Sequence, residues 1–524
     1  MSFITWQYLL FLPLVLLLYW RLPGRWRLAL LLGASYFFYA CWDVRFLALV
    51  LATTVIDYIC ALSIAGTRIA GARVLLLALL PALWLSGCSF FLPGAGGYLL
   101  IAAAGLGFAF FAGHELIWRL RQEKRSRAFL ILSVGFCLGI LGFFKYCGFF
   151  LDSARTLLTY LGMQPNQVLL RIILPVGISF YTFQSLGYVI DVYRGQSPAC
   201  TSLLTFATFD AFFPQMVAGP IERGRQLIPQ LQQTAAFKPD YLHDGLRLII
   251  VGFFKKVFVA DNCAILANYA FAPQTPLNGY WAILGVVAFA FQIYGDFSGY
   301  TDIARGSGKL FGIDLVPNFR FPYFARNPSD FWGRWHISLS TWFRDYLYIP
   351  LGGSRGSNWE TLRNLAVTML LAGLWHGANW IFVLWGAYHG LLLILYRAVP
   401  ALRTLGDEKV ASAGRAVLAI SVMWIFILLG WAIFRSPSPG QLGLWLAALG
   451  HWQTGGGLPW ASSSLWLLLH VAPLALLQFL TRKSQDETSL GGLPWPARGL
   501  AYALMLLLIV SSTEHDTEFI YFQF

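Results

Sequence analysis

Two histidines lie in apolar surroundings, where an ionisable side chain is costly. His336 lies in a segment rich in aromatic residues, and His376 lies in a run that is otherwise apolar from Leu365 to Leu395. A neutral imidazole can take a proton from an attacking hydroxyl group near neutral pH, and a positioned general base accelerates a reaction by roughly 10²–10⁴. The pair therefore predicts acid–base chemistry on a hydroxyl group. The alternative is a buried structural histidine bonded to a nearby carbonyl.

The segment around His336 is predicted to form one amphipathic helix. Its large apolar side chains recur every fourth residue, at Phe331, Trp335, Leu339 and Phe343. Ser329 or Asp330 offers an N-cap, and the glycine-rich turn 350–356 ends the helix. Backbone N–H groups of this turn could bind a phosphate, although a plain turn is the simpler interpretation. The 40 residues from His336 to His376 leave room for this helix, a turn and the start of a second helix.

The composition places both histidines in a membrane protein. Hydrophobic residues make up 58% of the chain and charged residues only 12%, whereas a soluble domain carries about 25% charged residues. Apolar runs of roughly 15 to 23 residues recur along the chain, which predicts an all-α polytopic membrane protein with about 11–13 transmembrane helices. We expect one membrane domain over residues 1–524. Its N-terminal spans lie in 1–168, its catalytic core in 169–398, and its C-terminal spans and tail in 399–524.

The charge pattern predicts an orientation. The formal net charge of +13 comes from 37 basic and 24 acidic residues, and in a membrane protein such an excess is first a topology signal. The basic loop Arg119–Arg127 is predicted to be cytoplasmic, which places both termini outside. No basic run alternates with exposed aromatic residues, so we expect no nucleic-acid partner. The seven cysteines show no metal-ligand spacing, so we predict no metal site.

The middle of the chain supplies candidate cavity residues. Between about Leu169 and Asp244 the apolar segments are broken by prolines and glycines, and such helices survive at membrane depth only when buried in protein or lining a cavity. Gln184 and Tyr188 could line that cavity. Asp296 and Asp302 lie near the end of a predicted span, where they could orient a histidine or bind a polar headgroup. They could equally form buried pairs with Arg305, Arg320 or Lys309.

Several blocks of the chain resemble the membrane-bound O-acyltransferase family. Trp335-His336, followed by Leu374-Trp375-His376-Gly377, is similar to its paired-histidine signature. Three further blocks are similar to the bacterial branch that O-acetylates exported polysaccharides: 174–184 running on to 191–195, 213–221 and 294–300. The resemblance implies the family's fold, with broken or re-entrant helices around a central tunnel, in a multi-pass protein of the bacterial inner membrane. The resemblance also implies that three residues near the histidines line this tunnel: Trp335, Trp375 and Asn379.

The resemblance also implies a reaction. An acetyl group would pass from a cytoplasmic thioester, acetyl-CoA, to an exported polysaccharide such as alginate, cellulose or peptidoglycan, through a periplasmic partner with a Ser-His-Asp site; no cofactor would be bound. His376 is expected to act as the base on the attacking hydroxyl group. His336 would hold the acyl carbonyl or share the base role. The alternatives are direct acylation of a lipid or protein, and a transporter or flippase.

The C-terminus is a further candidate. The chain ends in four aromatic residues within the last six, Phe519–Phe524, whereas a polar, frayed end is the default. This ending resembles aromatic C-terminal motifs in the envelope-acylation branch of the same family. It predicts that the tail, emerging in the periplasm, folds back to the outer mouth of the tunnel with Tyr521 as a transient acetyl carrier. An aromatic plug or a docking surface is the alternative.

Overall fold

The computed structural model describes residues 2–88, 96–165, 172–233, 236–272, 277–407, 412–452, 459–482, 486–512 and 519–520. Within these ranges the regular structure is helical and contains no β-strand, which confirms the prediction of an all-α protein. The described chain forms two compact units. The first is Met1–Asp244 with Ser307–Leu315, and the second is Gly245–Gly306 with Val316–Phe524. The unit boundary at residue 244 falls inside the segment 169–398 that was expected to form the catalytic core.

The helices of the first unit are α1 (Trp6–Arg21), α2 (Gly24–Ala40), α3 (Leu47–Ile64), α4 (Gly71–Ala78), α5 (Leu80–Gly87), α6 (Gly96–Trp118), α7 (Gln122–Leu141), α8 (Cys147–Tyr160), α9 (Ile178–Tyr193), α10 (Leu203–Ala211), α11 (Phe213–Met216) and α12 (Gly224–Gln232). A π-helix, Gly142–Tyr146, joins α7 to α8. The short helices α10 to α12 lie where broken apolar segments were predicted.

A buried carboxylate ties three helices of the first unit together. Asp57 of α3 is fully buried and accepts hydrogen bonds from Ser133 Oγ of α7 at 2.5 Å, from Cys137 Sγ at 3.2 Å and from Ser185 of α9. A buried polar group that lacked such partners would destabilise the fold. The bonds to Asp57 therefore hold α3, α7 and α9 in one arrangement.

The helices of the second unit are α13 (Pro239–Phe253, which begins in the first unit), α14 (Asp261–Phe271), α15 (Gly279–Leu310, which ends in the first unit), α16 (Pro328–Arg334), α17 (Ile337–Phe343), α18 (Asn358–His376), α19 (Trp380–Ala398), α20 (Pro400–Leu405), α21 (Ala413–Arg435), α22 (Pro439–Ala448), α23 (Trp460–Thr481) and α24 (Trp495–Val510). Two π-helices, Phe254–Ala260 and Arg344–Tyr348, follow α13 and α17. Such π-segments frequently accompany functional sites.

Seven described helices are long and apolar enough to cross a membrane: Leu47–Ile64, Gly97–Trp118, Gln122–Tyr160, Gly279–Leu310, Trp380–Ala398, Ala413–Arg435 and Trp460–Thr481. Shorter apolar helices cover Trp6–Arg21, Gly71–Gly87 and Trp495–Val510. Multi-pass character is thereby confirmed, while the count of 11–13 crossings stays a prediction.

Glycines allow α15 to approach α13 and its π-extension closely. A β-carbon on Gly299 would lie 2.6 Å from the backbone oxygen of Gly252, and one on Gly295 would lie 2.7 Å from that of Lys255. Small residues at such crossings let helix backbones meet. The close approach brings Lys255 and Lys256 of the π-helix within reach of carboxylates on α15.

Candidate active site

His336 lies at a break between two helices. Its backbone has φ 43° and ψ 55°, in the left-handed region, and its side chain is fully buried. The predicted single helix from Phe331 to Phe343 is therefore wrong, because α16 ends at Arg334 and α17 begins at Ile337. The N-cap prediction is also wrong, since Asn327 Oδ1 caps α16 by accepting a hydrogen bond from a backbone amide at 2.8 Å.

Asn318 holds the backbone just after this break. Its carbonyl oxygen accepts from Ile337 N at 2.9 Å, and its side-chain oxygen accepts from Ser338 N at 3.2 Å. A non-glycine residue in the left-handed conformation persists only where its surroundings impose it, and such residues cluster at functional sites. The two bonds impose the conformation of His336, whose ring meets Phe297 edge-on at a centroid distance of 4.6 Å.

His376 is the last residue of α18 and is buried. Its ring contacts Trp385 at 4.9 Å and Phe434 at 5.4 Å, both in edge-to-face geometry. Helices α18 and α19 pack tightly here, since a β-carbon on Gly373 would lie 2.9 Å from the Cα of Gly386. This close packing fixes the end of α18 and hence the position of His376.

The indole ring of Trp375 contacts both histidines. Its centroid lies 5.7 Å from that of His336 and 5.2 Å from that of His376. The structure thus brings the two predicted histidines to one aromatic side chain, although 40 residues separate them in sequence. Trp375 is placed to set the spacing of the two imidazoles.

A cavity of about 840 Å³ reaches His376. One face of α18 lines it, with side chains at i, i+3, i+4, i+7 and i+11: Leu365, Thr368, Met369, Ala372 and His376. The eleven steps from Leu365 to His376 rise about 16 Å along the helix. The exposed side chains of Arg344, Arg397 and Arg403 also line the cavity.

Arg397 lies towards the far end of this cavity from His376. Only three residues separate α18 from α19, so the two helices run antiparallel. Arg397 lies in the last turn of α19, whereas His376 ends α18. The cavity therefore leads from a basic, exposed region to a buried histidine, past a mainly apolar wall.

The predicted tunnel-lining residues near the two histidines have different surroundings. Trp335 is buried and packs against Phe331 at 5.7 Å and Trp431 at 4.7 Å, and neither it nor Trp375 lines the 840 Å³ cavity. Asn379 is exposed and caps α19 by accepting a hydrogen bond from a backbone amide at 3.0 Å. The structure thus gives Trp335 a packing role and Asn379 a capping role.

Both predicted carboxylates lie in buried ion pairs. Asp302 is 2.8 Å from the Nζ of Lys255 and 3.2 Å from Arg305. Asp296 is 2.9 Å from the Nζ of Lys256. Arg305 is one of the partners that the sequence suggested for these carboxylates. The sequence analysis did not identify Lys255 and Lys256 as partners. Two lysines inside an apolar run are a signal that could have found them.

Gln184 and Tyr188 lie in the first unit and are buried there. The amide nitrogen of Gln184 donates to the carbonyl oxygen of Phe209 at 2.6 Å. The hydroxyl oxygen of Tyr188 accepts from the backbone amide of Cys200 at 2.8 Å. These bonds hold α9 against the chain that follows it, which is a structural role.

The predicted carrier, Tyr521, lies outside the described residues, but the two residues before it are described. Phe519 and Ile520 are both buried. The Phe519 ring stacks on Tyr300 at 4.5 Å and meets Phe297 at 6.1 Å. Because Phe297 also contacts His336, this part of the tail lies one aromatic ring away from a candidate catalytic residue.

Residues 196–434 match the membrane-bound O-acyltransferase family, a range that includes both histidines. A probable alginate O-acetylase AlgI from Azotobacter vinelandii is 42% identical over 82% of this chain and 73% of that protein. Another from Pseudomonas putida is 37% identical over 98% of both chains. The chain belongs to the membrane-bound O-acyltransferase family.

A further similar member of this family is the peptidoglycan O-acetyltransferase of Helicobacter pylori, which is 35% identical over 68% of this chain and 71% of that protein. The chain is an O-acyltransferase of the polysaccharide O-acetylation branch, as the motif resemblance implied. The prediction of an enzyme is confirmed over that of a transporter. Both histidines of the family's signature are buried in this chain, and His376 lines the 840 Å³ cavity whereas His336 does not.

Proposed function

We propose that this O-acyltransferase takes acetyl groups from acetyl-CoA on the cytoplasmic side of a bacterial inner membrane and passes them outward to an exported polysaccharide. The cavity that His376 lines is the observation that carries this proposal. Its mainly apolar wall, about 16 Å long along α18, suits a pantetheine arm. Its arginines suit the phosphates of the donor, because guanidinium groups bind phosphate through paired hydrogen bonds.

In this mechanism His376 acts as the general base. Its imidazole takes the proton of the acceptor hydroxyl group while the hydroxyl oxygen attacks the thioester carbonyl carbon. The carbon–sulfur bond then breaks, and the thiolate leaves with the proton that the imidazolium returns. His336 holds the acyl carbonyl or shares the base role.

The acceptor is proposed to be a polysaccharide of the alginate, cellulose or peptidoglycan type. The similar proteins are named for alginate and peptidoglycan acetylation, which supports this class. The charge pattern supports an orientation with Arg119–Arg127 in the cytoplasm and both termini in the periplasm. A periplasmic Ser-His-Asp acetyltransferase would receive the acetyl group and complete the transfer.

Tyr521 is proposed as the transient carrier. It follows Phe519 by two residues, and Phe519 is one ring away from His336. A phenol has an unperturbed pKa near 10 and needs a base to become a nucleophile at neutral pH. Once the base takes its proton, the phenol oxygen bonds the acetyl carbon and the thiolate leaves. The partner's serine then accepts the acetyl group from this ester.

Purified full-length protein incubated with acetyl-CoA tests the donor. We expect release of free coenzyme A thiol and the mass of one acetyl group on a peptide that contains Tyr521. His376→Ala should abolish both signals. A purified native protein, active in polymer acetylation in the cell, that releases no thiol from acetyl-CoA would contradict the choice of donor.

A further inference from the structure

The carboxylate of Asp296 has two different partners. One oxygen lies 2.9 Å from the Nζ of Lys256, and the other accepts a hydrogen bond of 2.6 Å from the backbone amide of Ile520. Asp296 and Ile520 are each only 2% exposed. A carboxylate that accepts a backbone N–H makes a charge-assisted bond, stronger than one between neutral groups. Asp296 therefore links the π-helix Phe254–Ala260 to the C-terminal tail.

The contacts of the tail lie within about one turn of α15. Tyr300 lies four residues after Asp296 and three residues after Phe297, so it shares a face of the helix with each of them. Tyr300 stacks on Phe519, while the Phe297 ring lies in contact with both Phe519 and His336. The turn that seats the tail thus also touches the candidate catalytic histidine.

Lys256 is held in place independently of the tail. Its Nζ is also 2.7 Å from Asp261, and the lysine itself is almost fully buried. The close approach at Gly295 and Gly299 keeps the π-helix against α15. The Lys256–Asp296 pair is therefore built into the packed helices, and Ile520 is added to it from a position 224 residues away in the chain.

We propose that Asp296, oriented by Lys256, is a positioning residue that latches the C-terminal tail beside His336 for acyl transfer. This inference rests on the proposed function, because the tail matters for the reaction only if it takes part in transfer. Asp296 does not need to touch the donor. It holds the backbone of Ile520, and with it the start of the segment that continues to Tyr521.

Asp296→Asn tests the latch. Asparagine offers one side-chain acceptor instead of two, so its NH₂ group must face either Lys256 or the Ile520 amide, both of which are donors. Carboxypeptidase digestion of the purified full-length protein, followed by intact mass measurement, reports whether trimming passes Ile520. We expect removal of residues beyond Ile520 to become about tenfold faster or more in Asp296→Asn. A tenfold change corresponds to a free-energy difference of about 1.4 kcal/mol.

Two further variants separate release of the tail from a general loss of stability. Asp302→Asn changes another buried carboxylate on α15, whose partners are Lys255 and Arg305, and it should leave trimming at Ile520 as in the native protein. Phe519→Ala removes the stacking on Tyr300 without altering any helix, so it should release the tail as Asp296→Asn does. Phe519→Ala also serves if Asp296→Asn fails to fold.

Kinetics decide whether the latch serves the reaction. In both releasing variants, kcat for acetyl transfer should fall while the KM for acetyl-CoA stays near the native value, because the donor cavity is untouched. If digestion at Ile520 is as slow in both variants as in the native protein, Asp296 does not latch the tail. If the tail is released but kcat stays at the native value, the latch has no positioning role in the reaction. Digestion requires no turnover, so it decides the seating of the tail even if acetyl-CoA is not the donor.

Discussion

The backbone amide of Ile520 donates a hydrogen bond of 2.6 Å to the carboxylate of Asp296. This bond fixes a point of the tail on the turn of α15 that also carries Phe297. Because Phe297 contacts His336, the last residues of the chain start from a position beside the candidate active site. Phe519 and Ile520, the described residues of the tail, therefore dock at a defined position in the second unit.

Loss of the candidate base should stop the reaction. We expect His376→Ala to lower acetyl-CoA turnover by roughly 10²–10⁴, since it removes the proton acceptor from the wall of the cavity. His336→Ala should be severe as well. Thiol release by the purified variants measures both effects, with size-exclusion profiles as the check on folding.

His389 provides the matched control for this prediction. It is buried, and its ring centroid lies 4.6 Å from that of Trp385, whose indole His376 also contacts. It does not line the cavity. His389→Leu should lower the stability of the fold and have only a small effect on acetyl-CoA turnover. If His389→Leu were as inactive as His376→Ala while remaining folded, the assignment of the base would have to change.

The sequence predicted where the two histidines lie but not how the chain holds His336. A four-residue apolar period fits two short helices as well as one long helix, because it does not report the backbone angles between them. The left-handed conformation depends on Asn318, which lies outside the periodic segment. The partner of Asp296 could not be predicted either, since Ile520 is 224 residues away and offers only its backbone amide.

The arginines of the cavity should affect donor binding. We expect Arg397→Ala and Arg403→Ala to raise the KM for acetyl-CoA several-fold each, with a smaller change in kcat, because an exposed charge pair contributes up to about 1 kcal/mol. The effect should weaken at high salt, which screens exposed charges. Arg363→Ala, which changes an exposed arginine of α18 outside the cavity lining, is the control. An equal rise in KM for Arg363→Ala would show a general charge effect.

The close approach of α18 and α19 should be needed for activity. Gly373→Ala would place a β-carbon 2.9 Å from the Cα of Gly386, which should force the helices apart and displace His376. We expect a loss of about 1–3 kcal/mol in stability and a large loss of turnover, measured by thermal unfolding and thiol release. Gly443→Ala in α22 has open space around it and should be tolerated. Native turnover in Gly373→Ala would contradict this account of the site.

Thiol labelling of intact cells tests the orientation. We expect the thiol of Lys124→Cys to be reached only from the cytoplasm and that of Gln523→Cys only from the periplasm, by the charge pattern of the loops. Cys41 is the exposed cysteine among the seven, so it should be replaced by serine in both variants. A position 523 that reacts only after the cytoplasm is opened would overturn the predicted orientation of the tail.

Tyr521→Phe separates the two roles proposed for the tail. The change keeps the aromatic ring and deletes only the hydroxyl group, so a plug or docking surface should survive it while an acetyl carrier should not. We expect polymer acetylation to be lost in cells that express the variant at native levels, and no acetyl group to be found on the C-terminal peptide. Phe522→Leu, one residue further on, is the control for disturbance of the tail. Because Asp296 and Tyr300 contact the residues before Tyr521, digestion at Ile520 should be unchanged in Tyr521→Phe. Full polymer acetylation by Tyr521→Phe would leave the seated tail a purely structural role.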